Sequence, residues 1–171
     1  LVVTVVLGFS ITRSARGHLL DARAAMVAAS VESLPAFPTD GDASPAEYAE
    51  FDVAVRVSVL GGETVRVQVW AEAGTIVYSA APELVGQPFD LPEHGALAFA
   101  ADEKAHISDL SDPAHAIDRG RGELIEFYIP MLAADGSVPF VVEVEQDASG
   151  LNHALGQIAR NVWVSIGIGL V

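Results

Sequence analysis

Both ends of this 171-residue chain are apolar and uncharged, and every charged residue lies between them. Residues 1–11 read LVVTVVLGFSI and residues 162–171 read VWVSIGIGLV. A helix that crosses a bilayer needs about 20 apolar residues, so each run is too short to span alone. Two such runs around a polar middle read as one domain held between two truncated transmembrane helices. The first run lacks the basic flank and small-residue cleavage site of a signal peptide. Its valine content keeps a buried strand open as the other reading.

Charge narrows the partners. The chain carries a formal net charge of −14 with only nine Lys and Arg, too few and too scattered to neutralise a phosphate backbone. Nucleic acid is therefore excluded as a partner. The absence of cysteine removes disulfides, thiolate chemistry and cysteine-ligated zinc together.

Helical spacing flanks the middle on both sides. Leu20, Ala24, Val27, Val31 and Leu34 recur every three or four residues, predicting an amphipathic helix over 12–34 that stops before Pro35 and Pro38. Leu151, Leu155, Ile158 and Val162 repeat that spacing over 149–171 and lead into the second apolar run. The stripes allow two readings: two helices packed on each other, or a seam between two copies of the chain that transmits a shift across a membrane.

Between the helices lies a domain-sized segment, 35–148. Ser44-Pro45-Ala46-Glu47 has the chemistry of a helix start. The following FDVAVRVSV alternates like a strand, yet Phe51, Val55 and Val59 also fall at helical spacing. Residues 64–70 and 75–79 alternate around Ala73-Gly74 and form a β-hairpin. A short helix over 93–101, a strand over 106–110, and strands over 123–131 and 138–146 around the Asp135-Gly136 turn complete an α+β order. Period-two alternation places Arg66, Gln68 and Trp70 on one sheet face with Glu126, Tyr128, Glu143 and Glu145. The plainest reading of that face is an outward, solvated one, although a tryptophan is seldom left fully exposed.

Catalytic signatures are missing. No GxSxG, HExxH, EF-hand or phosphate-loop pattern occurs, and no enzyme, cofactor or metal site is expected. His106 with Asp109, and His115 with Asp118, are three apart but read as solvated loop or strand residues.

The run VRVQVWAEAGTIVYSAAPELVGQPFDLPE, followed by Ile107-Ser108-Asp109-Leu110, Arg119-Gly120 and ELIEFYIPM, resembles the single Cache (PDC) domains. These are PAS-like extracytoplasmic sensors of bacterial receptor histidine kinases and diguanylate cyclases. The resemblance covers about half of the chain. It implies a PAS-like antiparallel sheet with a long N-terminal helix, helices and loops on both faces, and a helix over 45–60. It also implies a small-molecule ligand between the sheet and the crossing loops, with Trp70, Tyr78, Arg119, Arg121, Glu126 and Tyr128 as candidate contacts. A cationic or amino-bearing ligand suits Trp, Tyr and Glu126 better than an anion does. The implied setting is a homodimeric receptor in the cell membrane, its sensor outside and its output in a two-component system. Three alternatives stay open: a ligand-free spacer or dimerisation module, a divalent-cation sensor using the acidic surface, and a cytoplasmic placement. Arg13, Arg16 and Arg23 beside the first apolar run favour the last.

Overall fold

Alternating sequence sets the centre of the fold. Strands β1 (Thr64–Ala71), β2 (Ile76–Ser79), β3 (Lys104–Ser108), β4 (Leu124–Met131) and β5 (Phe140–Asp147) form one antiparallel sheet in the order β2-β1-β5-β4-β3. The computed structural model describes residues 2–38, 44–100, 104–108 and 120–169. Helices α1 (Val2–Glu32), α2 (Pro45–Ser58), the short α3 (Glu93–Ala98) and α4 (Ser149–Gly169) pack around the sheet. The chain is α+β, as its order of elements predicts. β3 starts two residues before the expected His106, and Asp109 and Leu110 lie outside the described residues.

Turn chemistry fixes the hairpins. Gly74 sits at φ 80°, and a Cβ there would run into the carbonyl oxygen of Phe89, so both conformation and space demand glycine. At the second hairpin the Asp135 carboxylate accepts the Ser137 hydroxyl at 2.6 Å and the Ser137 N–H at 2.9 Å, and the hydroxyl bond foremost, with the backbone one, keeps its pKa below the usual aspartate value.

One sheet face is apolar and carries the main core. Val67, Val69, Ile125, Phe127, Ile129, Val142 and Val144 are buried there against Val27, Ala28 and Val31 of α1, Phe51 and Val55 of α2, and Leu151 of α4. Phe37 closes the cluster edge-on, 5.0 Å from Phe51 and 5.4 Å from Phe140. Each valine, leucine, isoleucine or phenylalanine among them contributes about 1.5–3 kcal/mol when fully buried.

That core settles the ambiguous segment in favour of helix. In a strand, Phe51, Val53, Val55 and Val57 would share a face. Here Phe51 and Val55 are buried one turn apart, while Val53 and Val57 are 60% and 79% exposed. A capping box starts α2: Ser44 Oγ accepts the Glu47 N–H at 3.3 Å, and the Glu47 carboxylate accepts the Ser44 N–H at 3.0 Å.

The two helical stripes are used within one chain. Leu20, Ala24 and Leu34 of the first and Leu155 of the second pack against the main core. α1 and α4 also lie antiparallel on each other. Near one end Phe9 meets Trp163 edge-on at 5.8 Å, and Gly8 leaves room for the same indole. Near the other, Arg23 pairs with Glu63, and Gly150 passes so close to that carboxylate that a Cβ would clash. Among the described residues no helix is long and apolar enough to cross a membrane.

Candidate ligand-binding face of the sheet

The opposite sheet face is polar, and it is not solvated. Register aligns Arg66 with Glu145, Glu145 with Glu126, and Glu126 with His106. The next row aligns Ser79, Gln68, Glu143, Tyr128 and Lys104. Arg66, Gln68, Glu126, Tyr128, Glu143 and Glu145 are each no more than 3% exposed. The expected outward face is thus a covered one, and α3 supplies part of the cover. Gly95 lies over the Tyr128 ring with just enough room for a Cβ, Ala98 is buried with Tyr128 and Val141, and His94 stacks on His106 at 4.3 Å. Trp70 is sealed on its other side by Ile76, Leu84 and Phe89.

Glu143 is the hub. Its Oε2 accepts the Trp70 indole N–H at 2.7 Å and the Gln68 amide, and its Oε1 accepts the Tyr128 hydroxyl at 2.7 Å. Tyr128 also lies 2.9 Å from Glu126 Oε2. Arg66 directs Nε, at 3.0 Å, and Nη2 onto Glu145 Oε1. Burial first, then the charges of Glu143 and Glu126 and the bonds to them, pushes the Tyr128 pKa well above the ordinary tyrosine value. The phenol therefore stays protonated. Gln68 Oε1 and His94 Nδ1 are buried with no hydrogen-bond partner among the described residues. A buried acceptor of this kind favours a donor brought by something else.

Of the candidates read from sequence, Trp70, Glu126 and Tyr128 come together on this face. Tyr78 does not. The β1–β2 register shifts between Val69 and Trp70, so Ile76 pairs with Trp70 while Tyr78 pairs with Val69. The bulge sends Tyr78 to the apolar face, where it packs on Phe51 and donates to Asp52 Oδ1 at 3.0 Å. Burial and that bond raise its pKa. Arg121 is exposed ahead of β4, where its charge is a minor contributor beside the Ser149 hydrogen bonds in lowering the Asp147 pKa. Arg119, His115 and Asp118 lie outside the described residues. Arg66, Gln68, Glu143 and Glu145 join the site without having been singled out as contacts. Their signal was the same alternation that placed them on the face.

Two adjoining apolar clefts lie elsewhere, of about 310 and 500 Å³, sharing Ala36, Met131 and Leu132. Among the described residues no three His, Asp or Glu side chains group as a metal site requires.

No protein-family model matches the chain, and no curated protein is significantly similar to it in sequence. Among solved structures it is similar to an extracellular ligand binding receptor from Desulfohalobium retbaense DSM5692, with 18% identity and a TM-score of 0.48. The match covers 89% of this chain and only 26% of that one.

Proposed function

We propose that this chain is the extracytoplasmic ligand-sensing domain of a bacterial membrane receptor, with a sensor histidine kinase as its output. The observation that carries the reading is the buried polar face. Burying three carboxylates, a guanidinium and an amide costs several kcal/mol per ion and stabilises a fold poorly compared with apolar packing. Residues of that kind beneath a covering helix suit a binding site. The acceptor-rich surface, Gln68 Oε1 with no partner among the described residues, and the Trp70 and Tyr128 rings fit a small cationic or amino-bearing ligand.

A route outward is built in. β5 carries Glu143 and Glu145 and leads into α4 through a single residue, Ala148. α4 packs along α1, and the exposed apolar side chains Val6, Leu7, Phe9, Ile11, Trp163 and Val164 gather where the two helices pair. In this proposal that end meets the membrane. A ligand that favours one setting of β5 over another shifts the helix pair by its differential affinity for the two.

Isothermal titration of the purified chain with amines, amino acids and organic acids tests the reading. An amine that binds saturably, and stops binding when Glu126→Ala is combined with Trp70→Ala, supports it. Binding that survives both changes places the site elsewhere. Failure of the whole panel to bind favours the ligand-free spacer.

A further inference from the structure

Charge on the helix pair runs against the rest of the chain. The formal net charge is −14, yet α1 has no carboxylate before Asp21 and α4 has none along its length. The formal charges they carry there are Arg13, Arg16 and Arg160, all three exposed. Arg23, the next arginine of α1, differs from them, because it is partly buried and paired with Glu63. The contact between Phe9 and Trp163, 5.8 Å apart, sets the level of the exposed three. Arg13 follows Phe9 and Arg160 precedes Trp163 by about one helical turn, so both lie about 4.5–6 Å from the aromatic pair, away from the apolar end. Arg16 stands about a turn further along the face of Arg13. Asp21, the first carboxylate of α1, is about 18 Å from Phe9 along the axis.

We infer that this end of the helix pair docks on a membrane surface through anionic lipid headgroups, with Arg13, Arg16 and Arg160 at the level of the phosphates. The exposed Val6, Leu7, Phe9, Ile11 and Val164 then lie in the apolar layer beyond them. The inference rests on the proposed reading that the apolar end meets a membrane, and it adds the lipid chemistry met there. The headgroup region of each leaflet is about 5–8 Å deep, which matches the offset between the arginines and the aromatic pair. Trp163 falls at the boundary, where an indole with an apolar body and a polar edge is favoured. An arginine reaches from a helix to a phosphate while its stem covers apolar surface.

An anionic surface repels an acidic domain taken as a whole. Screening, however, limits the reach of each exposed charge to about 8 Å at physiological ionic strength, so the groups at the contact decide. Each arginine close to such a surface strengthens binding about fivefold, and three together account for about a hundredfold at low salt. Headgroup contact also gives Arg13 and Arg16 a use on either side of a membrane, whereas their place in the sequence alone favours the cytoplasmic one.

Titration of the purified chain with two sets of vesicles tests this, one of phosphatidylcholine and one of phosphatidylcholine mixed with phosphatidylglycerol. Trp70 is buried within the domain, so a change of tryptophan emission on binding reports Trp163, which is 38% exposed. The parent chain is expected to prefer the anionic vesicles and to lose that preference in high salt. Arg13→Gln, Arg16→Gln and Arg160→Gln combined should weaken binding to the anionic vesicles about a hundredfold and leave binding to the neutral ones as it was. Equal binding of the parent to both sets overturns the inference, whether or not the variant folds, and leaves the membrane-facing reading standing. A preference that survives the triple change, or that high salt leaves unaltered, overturns it as well. Failure to bind either set removes both. Amine titrations report on the sheet face, so their outcome is separate from all of these.

Discussion

On one side of β5, Val142 and Val144 join Val27, Val31 and Phe51 in a dry core; on the other, Glu143 and Glu145 meet Arg66, Gln68, Trp70 and Tyr128. Both sides are buried, and the same strand builds both through its alternation. They differ in what burial does. On the first side it drives folding, because apolar area leaves water without breaking hydrogen bonds. On the second it desolvates charge, and the network recovers that cost only where its bonds are complete. Burial alone therefore does not distinguish a core from a site. The chemistry of what is buried does.

Substitutions on the two faces should separate these roles. Phe127→Ala on the apolar face is expected to lose about 3–5 kcal/mol of stability in urea unfolding, from lost transfer energy and the cavity left behind. Arg66→Ala is expected to lose a similar amount, about 3–5 kcal/mol, because Glu145 stays buried without its guanidinium. The double change Arg66→Met with Glu145→Leu breaks the symmetry. Removing both charges should leave stability within about 1 kcal/mol of the parent or raise it. Ligand binding at this face should be lost all the same. If the double variant is as unstable as Phe127→Ala, the polar face is a structural element rather than a site.

A smaller effect tests the cover of the apolar face. Ser44→Ala removes the reciprocal bonds that start α2 and should cost about 1 kcal/mol, at most about 2, in thermal or urea unfolding. The loss should leave the polar face and its binding untouched, since Phe51 and Val55 anchor α2 on the other side of the sheet.

How much of this was legible in the sequence depended on the range of the interaction that decided it. The β1–β2 hairpin, the β4–β5 hairpin and the stripes of α1 and α4 follow from local periodicity and turn residues, and they stand where expected. The helix over Pro45–Ser58 was decided by its cap and by two side chains reaching the core, against an alternation that taken alone favours a strand. Glu143 was placed on the right face but not recognised as a hub. In a chain with 23 Asp and Glu, alternation cannot tell a covered carboxylate from a solvated one. Tertiary packing, in which α3 covers part of the sheet, makes that distinction. Tyr78 lies on the opposite face from Trp70, Glu126 and Tyr128 for a different reason. A single bulge reverses the parity between Ile76 and Tyr78, and no residue pattern announces it.

Tyr78 and Tyr128 carry the comparison to its finest scale, since each donates to a buried or half-buried acid from opposite faces of the sheet. Tyr78 serves one carboxylate, Asp52, which also accepts Arg56 Nε at 2.8 Å. The Arg56 bond foremost, outweighing the opposing effect of burial, holds the Asp52 pKa below the usual aspartate value, with help from Tyr78. Stability from Asp52 is therefore complete above the unfolded value of about 3.9 and disappears as pH falls through the lower folded one. Tyr78→Phe removes one of the two bonds and leaves the arginine. Its cost at neutral pH should stay below about 1 kcal/mol and vanish in strong acid, where the folded carboxyl is protonated as well. Tyr128 stands between two carboxyls, 2.7 Å from Glu143 Oε1 and 2.9 Å from Glu126 Oε2, and burial keeps its phenol protonated. Urea midpoints across pH should therefore show Tyr78→Phe acting on the acid limb. A Tyr78→Phe profile displaced equally at every pH would mean that the hydroxyl acts through packing alone, and the two tyrosines would then differ only in burial.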